Sequence, residues 1–349
     1  MPVSFPIVLQ ITMVTPSLPA AHNGNGVTVA RWAQRLRELG HRVRIVSRQN
    51  SRRSRAGSSG DLSGDLLIAL HASKTAAAAL RFARSGRPFV TALTGTDLYR
   101  DLRRSARAQE VLRRSSALVL LQPLGLESLP QGVRRKVHVI LQSAQAPRRR
   151  RRAGADGRFD VAVLGHMRAV KDPLRAALAA RRLPSESRLR IVHAGRALTD
   201  SFARRARREM QRNRRYRWLG DLSHASALRL LARSQGLVLS SRLEGGANVL
   251  SEAAVAHVPV LASRIPGSLG LLGYDYPGYF EVGDTDGLAT LLQRLESDAA
   301  FRADLRRRLR RLAPRFSPAR ERAAWRALLS QVLGPAAASP RRPHRSGTP

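Results

Sequence analysis

The sequence predicts an α/β protein made of two open, parallel-sheet halves, and three observations carry that prediction. Its 349 residues are about twice an ordinary domain, enough for two cores. Short apolar runs alternate with longer amphipathic stretches, the pattern of strands joined by crossover helices. A basic stretch at residues 147–158, with nothing to bury, divides two such series and reads as a linker between domains at 1–146 and 159–316.

In the first series, residues 7–15 form a strand and residues 16–26 a loop. Val27, Ala30, Trp32, Leu36 and Leu39 then recur on one face of a helix that Gly40 stops. Arg42–Ser47 is the next strand, and residues 51–63, rich in Ser, Gly and Arg, read as a mobile loop. Residues 65–70, Phe89–Leu93, 117–121 and 136–141 supply four more buried strands. The second series places strands at 160–165, Leu189–Ala194, 216–219, 237–240 and 258–262 and ends in helices. A helical pattern over Pro318–Leu333 follows once that series is complete, and residues 335–349, rich in Pro and Arg, are expected to be disordered.

Composition narrows the function. No Cys is present, which removes disulfides, thiolate metal sites and Cys nucleophiles. The apolar run at residues 7–14 is shorter than the ~20 residues of a membrane span, so a cytoplasmic protein is expected. A net charge of +38 suggests nucleic acid as a partner. The arginines, however, are spread along Ala- and Leu-rich helical stretches, without zinc-finger spacing or interleaved aromatics, so a basic nucleic-acid-binding protein is the lesser reading. GxSxG, HExxH and GxxxxGK[ST] are all absent from the sequence.

Four clusters remain as candidate sites, each after a strand. Glu244, Gly245, Gly246, Ala247 and Asn248 run into a helix carrying Glu252, where small residues expose amide groups to a diphosphate. Glu252, read in the first helical turn, would accept from vicinal hydroxyls such as those of ribose, and Glu244 would face the other end of the ligand. The bland alternative is a tight turn with Glu252 as a helix charge. Gly165, Arg168 and Lys171 follow the first strand of the second half, where ligands of open α/β sheets gather. Only Lys74, Lys136 and Lys171 are lysines among 62 basic residues, so Lys171 carries more weight than any one arginine. Asn23, Gly24, Asn25 and Gly26, and likewise Thr94, Gly95, Thr96 and Asp97, offer glycine-rich or hydroxyl-rich anion cradles in the first half. An ordinary flexible turn is the alternative. His71, at a strand end, is either a ligand contact or a capped buried histidine.

Glu244 and Glu252, with seven residues between them and glycine after the first, resemble the E-x7-E signature of retaining GT-B glycosyltransferases. Tyr216 to Gly220 and Val258 to Ser263 resemble the same family. The resemblance implies two Rossmann-like domains facing a cleft, with the last helix crossing back to the first. It also implies that Lys171 neutralises the donor diphosphate, that Glu252 holds the ribose, and that Glu244 with the amides of Gly246 to Asn248 contacts sugar and phosphate. Gly220 joins the donor set, and no metal or cofactor is required beyond the sugar nucleotide. Two departures stand out. His166 follows Gly165 where the family carries Arg, so Arg168 is the replacement candidate, and the Thr94–Asp97 site has no histidine.

More narrowly, Gly24 to Trp32, Leu93 to Asp101, Leu141 to Ala144 and Glu244 to Asn248 resemble selenosugar synthases of selenoneine biosynthesis. That implies transfer of N-acetylglucosamine from UDP-N-acetylglucosamine to selenophosphate, forming a selenium–carbon bond. The acceptor is then expected at Asn23–Gly26 and Thr94–Asp97, with Arg31 and Arg100 adding charge. A GT-B enzyme with a lipid or saccharide acceptor is the alternative.

Overall fold

The structure, a computed structural model, describes residues 8–16, 24–47, 62–145 and 157–334. Most of the expected 147–158 linker, the 51–63 loop up to residue 61, and the 335–349 tail therefore lie outside the described residues, as does Asn23. The chain divides into two compact units, Met1–Leu141 with Pro318–Pro349, and Gln142–Ser317.

In the first unit the elements are β1 (Gln10–Thr15), α1 (Gly24–Glu38), β2 (Arg42–Ser47), β3 (Leu66–Leu70), α2 (Ala76–Ala83), β4 (Phe89–Leu93), α3 (Ala106–Arg114), β5 (Ala117–Leu120), α4 (Gln131–Arg134) and β6 (Val137–Val139). The strands form one parallel sheet in the order β2-β1-β3-β4-β5-β6. Buried strands explain the continuous apolar runs: every residue of Leu66–Leu70 and Phe89–Leu93 is buried. The strand expected at residues 7–15 is described from Gln10, and the helix expected from Val27 begins three residues earlier at Gly24.

The second unit runs β7 (Phe159–Leu164), α5 (Arg175–Ala180), β8 (Leu189–Ala194), α6 (Asp200–Arg212), β9 (Tyr216–Trp218), α7 (His224–Arg233), β10 (Gly236–Leu239), α8 (Asn248–Ala256), β11 (Val260–Ser263), α9 (Pro266–Leu272), β12 (Tyr279–Phe280), α10 (Thr285–Ser297) and α11 (Ala299–Leu312). Its sheet is again parallel, in the order β12-β11-β10-β7-β8-β9. The two-residue β12 was not legible because two residues carry no periodicity. Residues 142–144 belong here rather than to the first unit: Gln142 Nε2 donates to Gly246 O at 2.7 Å and Ala144 N to Phe316 O at 3.0 Å.

The final helix, α12 (Pro318–Leu333), returns to the first unit. Trp325, Leu328 and Leu329 enter the core formed by Val29, Trp32, Leu36 and the inner face of the sheet. Trp32 and Trp325 meet edge-to-face with ring centres 4.9 Å apart. Trp32 Nε1 also donates to the buried Glu321 carboxylate at 3.0 Å, so a charged residue on a core face is matched by a donor from α1.

Candidate functional site

Sheet order places the second-unit candidates. The chain leaves β7 toward β8 and β9, then returns to lay β10 on β7's other side, so the strand order reverses between β7 and β10. Ligands of open α/β sheets bind beyond the carboxyl ends at such a point. Lys171 follows β7 and Glu244 follows β10, so the two sequence clusters, 73 residues apart, meet there.

Lys171 ends a short 3₁₀ turn, Ala169–Lys171, and its Nζ pairs with Glu244 Oε1. Ser241 Oγ donates to the same carboxylate oxygen at 2.6 Å. The two loops are stitched by backbone as well: Ser240 Oγ donates to the carbonyls of Lys171 and Asp172 at 3.1 and 3.0 Å, and Arg242 N to Val170 O at 2.8 Å. Asp172 closes the turn in the left-handed region at φ 43°, a conformation Asp tolerates better than bulkier residues. Arg168 lies beside this turn, exposed to solvent.

Glu244 is held from behind. A Cβ on Gly267, at the start of α9, would stand 2.3 Å from Glu244 O and 2.9 Å from its Cβ, so the close approach needs glycine. Ahead of Glu244, Gly245, Gly246 and Ala247 lead into α8, whose N-cap residue Ala247 provides no side-chain cap. Such an uncapped helix start carries partial positive charge toward a phosphate. Gln142 fixes the Gly246 carbonyl from the far side, a contact across 104 residues that spacing does not reveal.

Glu252 lies in the second turn of α8, not the first as the sequence reading had it, because α8 starts at Asn248. Its Oε1 accepts from His224 Nε2 at 2.8 Å, and Glu252 is 10% exposed while His224 is 47% exposed. Sequence reasoning missed His224, which lies at the first position of another helix.

The Gly165 turn rests on Gly195 and His193. A Cβ on Gly195 would come within 2.0 Å of Gly165 O. Buried His193 spans the turn's underside, Nε2 meeting Gly165 O at 3.1 Å and Nδ1 meeting Tyr216 OH at 3.0 Å. A carbonyl only accepts, so Nε2 carries the proton and Nδ1 accepts from the tyrosine. Burial holds this imidazole down to about 4, against a smaller upward pull from the Gly165 bond. Gly220 continues the support: its carbonyl accepts from Gly195 N at 2.7 Å, and its φ is 72°.

The first-unit candidates are arranged differently from the expectation. Gly24, Asn25 and Gly26 form the first turn of α1 rather than a loop before it. In the Thr94–Asp97 segment the carboxylate of Asp97, fully buried, accepts from Thr94 N, Gly95 N and Ala72 N, each at 2.9 Å. Those amides therefore face Asp97 and do not form an oxyanion cradle; a buried carboxylate this close captures them first. Thr96 remains partly exposed, with Oγ1 3.0 Å from His71 Nε2. His71 is thus a buried, bonded histidine in the left-handed region at φ 75°; burial lowers its pKa, with the nearby Asp97 charge opposing. Arg31 reaches Glu321 at 3.4 Å, which ties it to α12, and the exposed Arg100 lies 2.9 Å from Asp101.

Residues 146–313 match the family Glycosyl transferases group 1. HepE of Anabaena, solved with UDP and glucose and again with UDP-glucose, is similar in structure: TM-scores are 0.73 and 0.74, identities 16% and 15%, with 92% of this chain and 99% of that one covered in each case. Sucrose-phosphate synthase from Thermosynechococcus elongatus gives a TM-score of 0.72 at 15% identity over 93% of this chain and 98% of that one. No curated protein matches the sequence. The two parallel-sheet units thus have the GT-B fold, and the match to Glycosyl transferases group 1 covers nearly all of the second unit. Among the described residues, no helix is long and apolar enough to cross a membrane.

Proposed function

We propose that this chain is a hexosyltransferase that takes N-acetylglucosamine from UDP-N-acetylglucosamine and delivers it to selenophosphate, in the cytoplasm. The observation that carries the transferase reading is the meeting of Lys171 and Glu244 at the sheet's reversal point, beside the uncapped start of α8. A diphosphate there exchanges the Glu244 carboxylate for its own oxygens as the partner of Lys171, and Arg168 adds a second cation. Glu252, steadied by His224, accepts from the ribose hydroxyls. Glu244, freed from Lys171, turns to the sugar.

As the bond from the anomeric carbon to the diphosphate breaks, negative charge grows on the leaving UDP. Lys171, Arg168 and the α8 dipole stabilise it without moving far, which is where preorganised charge is most effective. The UDP-sugar is a substrate, and the proposal invokes no cofactor. Selenophosphate rests on the sequence resemblance. It is anionic and polarisable and attacks without a strong general base; with the Thr94 and Gly95 amides taken by Asp97, this reading assigns its charge to the start of α1.

Mass spectrometry of the products formed from UDP-N-acetylglucosamine with selenophosphate, and separately with a panel of alcohols, tests the reading. A selenium isotope pattern in the sugar product is expected. Transfer to an alcohol alone moves the acceptor to the saccharide or lipid class, and no UDP release with any acceptor overturns the transferase reading.

A further inference from the structure

The amino-terminal edge of the second sheet, opposite the Lys171 and Glu244 loops, carries an open groove of about 640 Å³ lined by six arginines. Parallel pairing puts them there. Arg158, Arg188 and Arg215 each stand one residue before a strand, β7, β8 and β9, and these strands are neighbours. Phe159 N donates to Arg188 O at 3.1 Å and Ile191 N to Arg215 O at 2.7 Å, which sets the three starts side by side. Neighbouring strands lie about 4.8 Å apart, so the arginines enter the groove in steps of that size.

Their surroundings divide them into scaffold and free cations. Arg190 clasps Asp160 through two bonds of 2.8 Å, and Arg215 Nη2 is held by the carbonyls of Pro184, Ser185 and Ser187. Arg188, Arg214 and Arg217 are exposed and, among the described residues, pair with no carboxylate. Of the nearby acids, Glu296 accepts from Ser187 Oγ and Arg188 N, and Glu209 is taken by Arg181 and Asn213. Glu186, next to Ser185, is the exposed one.

We propose that this groove binds a small ligand bearing several closely spaced phosphates, at a place separate from the sugar-nucleotide loops. Guanidinium forks match phosphate oxygens in pairs, and Arg188 before β8 with Arg214 and Arg217 at the start of the neighbouring β9 can engage successive phosphates of one chain. The volume is that of a small-molecule site. Concavity, more than charge, distinguishes the place in a chain whose arginines are spread everywhere. A bilayer is flat and favours apolar side chains at the contact; the groove shows only Met210, 38% exposed. Single-stranded nucleic acid needs exposed rings for stacking, and the groove's one aromatic, Tyr216, is 3% exposed.

The test is calorimetry of the full chain at about 0.15 M salt with tripolyphosphate, in saturating UDP so that a ligand at Lys171 does not interfere. The groove variant Arg188→Gln/Arg214→Gln/Arg217→Gln is compared with Arg103→Gln/Arg104→Gln/Arg107→Gln, three exposed arginines on the other unit with the same loss of charge. One saturable site is expected in the natural protein, at least tenfold weaker in the groove variant and changed less than twofold in the control, with inorganic phosphate at least tenfold weaker than tripolyphosphate throughout. Equal weakening in both variants would reduce the groove to general charge and overturn the proposal. So would equal affinity for inorganic phosphate, or tighter groove-dependent binding of a single-stranded oligonucleotide or of phosphatidylglycerol vesicles. The result does not depend on sugar transfer, because activity is not read.

Discussion

His193 makes acid a specific threat to the second unit. In the fold its pKa is about 4, and in the unfolded chain it returns to the ordinary 6.5. A histidine with a depressed native pKa binds its proton better when unfolded. The fold therefore holds this contribution in full above pH 6.5 and loses it as pH falls from 6.5 toward 4. Linkage over that window gives a loss of about 2 kcal/mol by pH 5 and about 3 kcal/mol by pH 4. Neutral glutamine at the position cannot follow this course, although His193→Gln lowers stability by its own amount at all pH. The assay is urea unfolding at pH 7.5, 6, 5 and 4, read by hydrogen exchange of peptides from β8, for the natural chain and the variant. The difference between their stabilities should shrink steadily below pH 6.5. Parallel curves for the two proteins would show that His193 is not neutral and doubly bonded in the fold.

Lys171→Ala should weaken UDP binding by about 1.5–3 kcal/mol, the scale of a charged hydrogen bond, in a calorimetric titration; unchanged affinity removes Lys171 from the donor site. Glu252→Gln and His224→Ala should both weaken UDP while leaving phosphate binding near normal, and His224→Ala should have the smaller effect, since it acts through Glu252. Gly267→Ala pushes on the Glu244 backbone, so kcat with any active acceptor should fall at least tenfold while the melting temperature shifts little; full activity would show that the loop yields. Asp97→Ala leaves three amides without their acceptor and should destabilise the first unit by about 3 kcal/mol by urea unfolding, with UDP affinity unchanged.

The strands were the legible part of this sequence: Phe89–Leu93 and Leu189–Ala194 are mostly apolar and mostly buried, Arg42–Ser47 alternates at the sheet edge, and all three agree residue for residue. Lys171 and Glu244 were legible because both follow such runs, and strand ends collect ligands. What escaped was decided by distance in sequence or by competition. Gln142, noted only within the Leu141–Ala144 resemblance, and His224 reach their partners across 104 and 28 residues, and spacing reveals neither contact. The Thr94–Asp97 segment looked like an anion cradle because its glycine and hydroxyls have that composition; only the packed fold shows that Asp97 turns inward and satisfies the amides itself. Gly24 to Gly26 read as a turn on glycine content, and the helix propagates through them because Thr28 and Val29 are buried on the face that α1 presents to its core.

The return of α12 to the first unit has a consequence for how the chain is made. The second unit is one uninterrupted stretch, Gln142–Ser317, whereas the first is closed only by residues beyond Pro318. At about 5–20 residues per second, synthesis needs roughly 10–40 s after Leu141 before Leu333 exists. Through that interval Trp32, Val29 and Leu36 have no Trp325, Leu328 or Leu329 to cover them. The half that is translated first is thus the half that finishes folding last, and a ribosome stalled anywhere before α12 holds out a greasy, incomplete surface that quality control can recognise.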